Sequence, residues 1–459
     1  MKEDKSLISR FVLWFSHWSV RWVPDAFIFV LALTVIVFLG ALFFTPHSPF
    51  QLIKFWVGGF WVLLTFGMQM CVLMLTGFTV ADSKQIRKIL MAIIAIPKTR
   101  KSTVFLFALF IGAIWWLHWG IGMMVGIIMG RELAVAKRGL KLDYAHLASI
   151  SYVCIVCAVG PSMAAQLLLA TPGHFMEKVT GVIPISLTTF DPYSLALNFI
   201  LWIGVPLVMV ATMPSEKDAV EVSDEMAQEI LASSQTAKED VSNLTPAQKM
   251  DRSKLFPWII GLAGMVWIVD FLITKGIGNL DLNTLNFIFV VTGILLHGSA
   301  KEYMASIQRG VGMISGVVVQ FPFYAGIFGL IQQSGLAHII AGWFVSISTQ
   351  HTYPFIIFLY SGLLNLFVPS GGSKFVIEAP IIIPAAQELG TYLPWVINAY
   401  TFGDEWTNLI QPFWALPIMG AYKLAFKDIL PYGFMVMLFM TIAVAIALLG
   451  FPILFPLTY

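Results

Sequence analysis

The sequence predicts an all-α polytopic membrane protein, with about nine transmembrane helices plus two re-entrant helical hairpins arranged as an inverted repeat. Three observations carry that reading. The 459 residues are 58% hydrophobic and 11% charged with a mean hydropathy of +0.83, and apolar runs recur along the whole chain, as in chains that cross a bilayer many times. The runs are long, rich in Leu, Ile, Phe, Met and Gly, and lack strand-length alternation, which favours helices over an outer-membrane barrel. Finally, the run that begins near Pro354 is cut by Pro369, Ser370, Gly371 and Gly372, then resumes carrying Lys374 and Glu378. Neither half is long enough to span a bilayer core, which takes about 20 apolar residues as helix. Broken backbone at that depth survives only where protein or a watery cavity satisfies its amides. The net charge of +2 gives no reason to expect nucleic acid as a partner.

In chain order, Lys2 to Trp22 is basic and aromatic (WFSHWSVRW) and suits a helix at headgroup level on the cytoplasmic side. Pro24 and Asp25 open a span to about Phe44, and a second span runs from Phe55 to Ala81. Asp82 to Lys101 is amphipathic and basic, an interfacial helix. Residues 103–130 are flanked by basic residues on both sides, so one crossing does not fit. Gly120 and Gly122 in WWLHWGIGMM mark the turn of a first hairpin. Tyr144 to Thr171 is a span interrupted at Gly160, Pro161 and Ser162, and Tyr193 to Thr212 returns. Cys154 and Cys157 lie one turn apart without other metal-ligand types nearby and read as packing residues, as does Cys71.

Residues 1–212 thus hold the amphipathic N-terminus and a first repeat, and 213–255 form a cytoplasmic linker. Its stretch Ser215 to Lys254 has nine acids and five bases and ends in a helix start, with Thr245 as cap, Pro246 at the first position and Gln248 three on from the cap. A connecting helix covers 256–274. Residues 275–459 are the second, inverted repeat: spans at 284–299 and 310–333, an interfacial piece near 337–349, the hairpin 354–389, a span at 393–421 broken at GDEWTN, and a closing span from Leu430 to Phe455. PDAFIFVLALTVIVFLG resembles LNTLNFIFVVTGILLHG, and the later elements follow in the same order in both halves. The extra crossing at 256–274 inverts the second copy, the plan of secondary transporters. Charge agrees: apart from Lys54, Lys178 and Lys275 outside and Lys374 within the membrane, the 27 Lys and Arg fall in segments expected in the cytoplasm.

Two tips and two breaks meeting near the midplane offer helix N-termini to an anion and freed carbonyls to a cation. The candidates at the tips are His118, Asn365, Ser370, Gly371, Gly372 and Lys374, for substrate. At the breaks they are Ser162, Gln166, Asp404, Glu405, Thr407, Asn408 and Gln411, for a coupling cation. Ions within a membrane are costly and usually functional. Lys374 and Glu378, four apart, can pair on one helix face, and that pairing alone could explain their burial. Asp404 and Glu405 can hold a cation, carry a proton or cap the next half-helix. His118 is either a packing residue or a titrating group.

NLFVPSGG at 365–372, QFPFYAG at 320–326, ATPGHF at 170–175, GVIP at 181–184 and GDEWTNLIQPFWALP at 403–417 resemble the bacterial short-chain fatty acid transporter family, the acetoacetate and butyrate permeases. The match covers nearly the whole chain. The resemblance implies a multi-pass carrier of small monocarboxylates in the bacterial inner membrane, N-terminus in the cytoplasm, within the larger ion-transporter superfamily. Its sodium-dicarboxylate and aminobenzoyl-glutamate members have paired re-entrant hairpins, elevator movement and dimeric assembly. His118 stands where the family suggests Asn, Lys374 where it suggests Gln, and VGPSMAAQ is less Gly-rich than the family pattern.

The function expected is therefore secondary active transport of a short-chain fatty acid or related monocarboxylate by cation-coupled symport. The coupling ion is sodium or a proton, and neither a cofactor nor a metal beyond that ion is expected. A carrier of another small carboxylate, dicarboxylate or aminobenzoyl-glutamate-like, is the alternative. A membrane-embedded hydrolase using Ser162 or Ser370 lacks support, because neither H-E-x-x-H nor G-x-S-x-G occurs. A passive channel fits the broken-helix repeat less well than a carrier does.

Overall fold

The structure, a computed structural model, describes residue 21 and residues 26–234 and 244–454. The headgroup-level helix expected over Lys2–Trp22 lies, apart from Arg21, outside the described residues. Among the described residues there are helices and loops and no strand.

The first half comprises α1 (Ala26–Phe44), α2 (Pro49–Gly59), α3 (Leu64–Ala81), α4 (Lys84–Ala95), α5 (Arg100–Leu117), α6 (Trp119–Ala136), α7 (Tyr144–Val153), a 3-10 turn at Cys154–Cys157, α8 (Ala164–Ala170) and α9 (Pro192–Ala211). The linker holds α10 (Asp224–Ser234), and α11 (Leu255–Thr274) follows it. The second half comprises α12 (Leu282–His297), α13 (Ala300–Gly310), α14 (Ser315–Ser334), α15 (Leu336–Ile347), α16 (Tyr353–Asn365), α17 (Gly371–Glu388), α18 (Leu393–Asn408), α19 (Pro412–Tyr422) and α20 (Phe426–Leu454). Eight helical segments among the described residues are long and apolar enough to cross a membrane, and several shorter apolar helices accompany them. Their outward faces are apolar, as at Ile36, Val266 and Ile273, which suits contact with lipid tails.

Several boundaries differ from the expected ones. The span expected from Phe55 to Ala81 is two helices, α2 and α3. Gly59 sits so close to α14 that an added Cβ would lie 2.5 Å from the Ala325 carbonyl oxygen, and the helix stops at this contact. The first hairpin runs over 100–136 rather than 103–130. Its turn is His118, not Gly120 or Gly122: the imidazole Nδ1 accepts the Gly120 and Ile121 amides at 3.1 and 3.3 Å and caps α6. Gly122 instead lets the two arms meet, since a Cβ there would stand 2.7 Å from the Trp115 Cα. In the second half, GDEWTN is helical to its end, and the break falls just after it, between α18 and α19. Here the freed carbonyls of Asn408 and Gln411 both accept from the Tyr152 hydroxyl, the second at 3.0 Å.

Both hairpins return to the end from which they start. Arg100, opening α5, donates to the Lys141 carbonyl at 2.6 Å, and Lys137 reaches the Pro97 carbonyl at 2.7 Å. Gln350 donates to the Gly390 carbonyl at 2.6 Å across the mouth of the second hairpin. That mouth also touches the loop after α8, through Gln387 and the Val179 carbonyl at 3.0 Å. The first mouth adjoins the loop before α7, through Arg100 and the Lys141 carbonyl.

The described part of the linker up to α10 is docked against the loops beside it. Glu221 accepts the Gly139 and Lys141 amides at 2.8 and 2.9 Å, Asp143 accepts the Val220 amide at 3.0 Å, and Arg138 pairs with Asp224 at 2.6 Å. At its far side Glu229 pairs with Lys423, which holds the exposed Glu229 carboxyl below its usual range. Acids of the linker have found the basic loops beside it. The Thr245 cap is present as expected, with reciprocal bonds between Thr245 and Gln248.

Candidate functional site

A cavity of about 520 Å³ lies where both tips and both breaks converge. Trp115 and Trp119 flank the first tip, and Pro369 to Ser373 form the second. Met163 and Ala164 come from the first break, Phe413 and Trp414 from the second, and Met70, Gln320, Phe321 and Tyr324 close the wall. Most of the lining is apolar and aromatic. Besides Ser315 and Gln320 on α14, the polar lining gathers at one place: Ser370, the start of α17, Asp404 and Glu405.

That polar corner follows from helix ends. Ser370 is the N-cap of α17, its hydroxyl 3.0 Å from that of Ser373. The Gly371 and Gly372 amides are first-turn donors with no intrahelical partner, the usual anion-attracting end of a helix. Gly371 has no room for a side chain, because a Cβ would lie 2.8 Å from Asp404 Oδ2. Its carbonyl accepts the Tyr400 hydroxyl at 2.7 Å. Small residues at this tip thus bring amides and carboxylates into one cavity.

Asn365, just before the tip, faces α18. Its Nδ2 lies 2.9 Å from the Asp404 carbonyl, 3.0 Å from Thr407 Oγ1 and 2.7 Å from Asn408 Oδ1. Gln411 donates to the Asn365 and Leu366 carbonyls at 3.3 and 3.0 Å, and Asn408 donates to Glu405 at 3.2 Å. Asn365, Thr407, Asn408 and Gln411 are therefore one network behind the cavity rather than part of its lining. At the first tip, Ser162 Oγ accepts the Trp119 amide at 3.1 Å. Each tip is bonded to the break of its own half. Gln166 reaches across to α18 instead, to Asn398 and Thr401 at 3.2 and 2.9 Å.

Ser162, Gln166, His118 and Lys374 do not line the cavity either. The His118 ring is fully buried against Phe289 at 4.5 Å between centroids, with Gly77 beside it, and it works as a helix cap. Lys374 is also fully buried. Its ammonium contacts Ser361 Oγ at 2.6 Å, the Ser361 carbonyl at 3.0 Å and Asp404 at 3.1 Å, all closer than Glu378 at 3.7 Å. The pairing expected from i,i+4 spacing is therefore the weaker contact. Sequence reasoning missed Ser361, Tyr400 and Tyr152. Helical spacing carried a signal for the first two: Ser361 is four before Asn365, and Tyr400 four before Asp404.

Bundled apolar helices and two hairpins with a cavity at their tips define a multi-pass membrane transporter. The short chain fatty acid transporter family model matches residues 7–451, and the chain belongs to that family. It is 34% identical over 442 residues to an Escherichia coli (strain K12) protein provisionally named a short-chain fatty acid transporter, covering 96% of this chain and 98% of that one. A Haemophilus influenzae protein with the same provisional name is 35% identical, over 95% and 97% of the two chains. The fold is similar to that of the Alcanivorax borkumensis YdaH transporter, with a TM-score of 0.55, 16% identity, and coverage of 98% of this chain and 99% of that one. It is also similar to Neisseria gonorrhoeae MtrF, described with a class of antimetabolite efflux pumps, with a TM-score of 0.57, 15% identity and coverage of 95% and 97%. The relatives are named as transporters or pumps, not as enzymes.

Proposed function

We propose that the chain is a cation-coupled symporter that takes up a short-chain fatty acid or a related small monocarboxylate. The observation that carries this reading is the meeting of the α17 N-terminus with Asp404 and Glu405 in one largely apolar cavity. First-turn amides of Gly371 and Gly372, with the Ser370 hydroxyl, suit a carboxylate. The aromatic wall suits a short alkyl tail, each buried CH₂ contributing about 0.8 kcal/mol. Asp404 and Glu405 repel an anion bound so near them unless a cation or proton offsets their charge. That mutual dependence is the physical content of coupling.

The residues behind the tip fit a hard cation such as sodium. The amide orientation of Asn365 is assigned from its hydrogen-bond network, and its Oδ1 is buried without a hydrogen-bond partner. Turned over, the amide would group Asn365 Oδ1, Thr407 Oγ1, Asn408 Oδ1 and the Asp404 carbonyl, four oxygens that need a cation among them. Sodium bound there would supply positive charge next to the α17 tip. Proton coupling through Asp404 or Glu405, which line the cavity, is the second reading.

The same element order in both halves supports an inverted repeat with re-entrant hairpins. In this reading the hairpins and broken helices move together past the remaining helices as an elevator. The protein sits in the bacterial inner membrane as a homodimer, with the 138–143 loop and the N-terminus in the cytoplasm.

The test is uptake of labelled butyrate or acetoacetate into proteoliposomes, minus that of protein-free liposomes, under a sodium gradient alone and then a proton gradient alone. Sodium-driven accumulation is expected, with a loss of about tenfold or more in Asp404→Asn plus Asn408→Ala, for the 1–3 kcal/mol that a buried polar network loses. Unchanged transport in that double variant would remove the cation site. Absence of accumulation under both gradients would remove the monocarboxylate and direct the search to larger or dicarboxylic acids.

A further inference from the structure

Glu378 lies one turn beyond Lys374 on α17, fully buried, and neither of its carboxyl oxygens has a hydrogen-bond partner. Its nearest cation is the Lys374 ammonium at 3.7 Å. That ammonium is already engaged by Ser361 Oγ, the Ser361 carbonyl and Asp404 at 2.6 to 3.1 Å, and it lies 4.6 Å over the Tyr400 ring. Two of its three donors go to Ser361, and its contact with Asp404 Oδ1 is an ion pair without a hydrogen bond. The other titratable groups facing Glu378 are Asp404 and the Tyr400 phenol from α18 and the Tyr353 and Tyr360 phenols from α16. Of these, Tyr353 gives its hydroxyl hydrogen to the Ile382 carbonyl at 2.8 Å, and Tyr400 gives its own to Gly371. An ionised carboxylate without a hydrogen bond is among the least favourable states a protein interior can hold, and a proton removes the charge.

We propose that Glu378 is a proton-binding site of the carrier. The proposal rests on the carrier reading above and adds a coupling site outside the cavity. Asp404 lines the cavity and contacts Lys374, which stands between it and Glu378. Loading forms one O–H bond on a Glu378 oxygen as an O–H bond of a hydronium in the cavity water breaks. Because Glu378 shares a helix with the Ser370–Gly372 tip, the proton travels with whatever that tip holds.

The experiment is infrared spectroscopy of the purified full chain in detergent. A carbonyl band of a protonated carboxyl is expected at neutral pH. It should shift with isotope-labelled glutamate, be lost in Glu378→Gln, persist in Glu405→Gln, and change in amplitude with added butyrate or with pH between about 5 and 9. Absence of the band, its survival in Glu378→Gln, or a band unmoved by both butyrate and pH would overturn the proposal. If Glu378→Gln does not fold, labelled glutamate in the Glu405→Gln background gives the same assignment. Should wild-type counterflow of labelled butyrate not exceed that of protein-free liposomes, the carboxylate reading fails separately. The pH response of the band then decides the proton site alone.

Discussion

Asn365 holds a broken segment to its neighbour with one side chain. Its amide group reaches three oxygens of α18, and its backbone carbonyl is covered by Gln411. Asn365→Ala strips a donor from Thr407, Asn408 and the Asp404 carbonyl together, at about 1–3 kcal/mol for a buried group left unpaired. Sodium-driven uptake is expected to fall about tenfold or more, because 1.4 kcal/mol is a factor of ten. Asn365→Asp is the informative partner variant. It puts an oxygen where the donor was, so its thermal midpoint in detergent should rise on replacing choline chloride by sodium chloride more than the wild-type midpoint does. An equal response in both proteins would mean that no cation uses these oxygens. Ser361 belongs to the same scale: it supplies Lys374 with two of its three close contacts, and its hydroxyl also gives a 3.0 Å bond to the Tyr400 carbonyl.

The two hairpins share a device that differs in chemistry. The second arm of each begins at a capping side chain, His118 for α6 and Ser370 for α17, both in extended backbone. At the first tip the imidazole does what a Ser or Asn does elsewhere, so His118→Asn, a strong N-cap type, should keep the hairpin. His118→Ala should lower stability by about 1 kcal/mol. Loss of transport in His118→Asn with an intact fold would instead give the imidazole a direct role. The break opposite is tighter still. Gly160 faces the Trp116 carbonyl, where a Cβ would stand only 1.7 Å from the oxygen. Gly160→Ala must push the tip and the break apart, costing about 1–3 kcal/mol or more in overpacking. A reduced yield of monodisperse protein would register this, and normal yield and uptake would show that the tip has slack.

Across the whole molecule, polar ties join segments far apart in the chain. Asp82 accepts from Ser306 at 2.7 Å and from Arg309 at 2.5 Å, linking the end of α3 to α13. The linker adds a strap from the 138–143 loop to Lys423, a residue with positive φ just after α19. These pairs are exposed, so each is worth little alone and is screened by salt. Reversing Arg138 and Lys423 to Glu should make α10 more open to protease at low ionic strength, and high salt should do the same to the wild type. The depressed Glu229 carboxyl fixes the sign with pH. Its pairing with Lys423 is present above the ordinary carboxylate range and is lost as pH falls through and below that range. Equal digestion of variant and wild type would show that the backbone bonds to Asp143 and Glu221 hold the strap without the ion pairs.

Local chemistry is what the sequence by itself determined. Apolar runs of span length, Pro and Gly interruptions, the Thr245 cap and the motifs shared with the transporter family are properties of contiguous residues, so the helical class, the family and the break at Pro369 to Gly372 were legible. So was the helix end at Ser370, because a Ser before two Gly states its own cap. Tertiary structure decided matters that depend on a partner distant in the chain. Phe55 to Ala81 reads as one span until Gly59 meets α14, and Gly120 reads as a turn until His118 takes its amide. The Lys374–Glu378 pair looks closed from spacing alone, yet Ser361 and Asp404, supplied by two other helices, hold the ammonium nearer. Periodicity records which face a residue occupies; it carries no information about which helix will lie against that face.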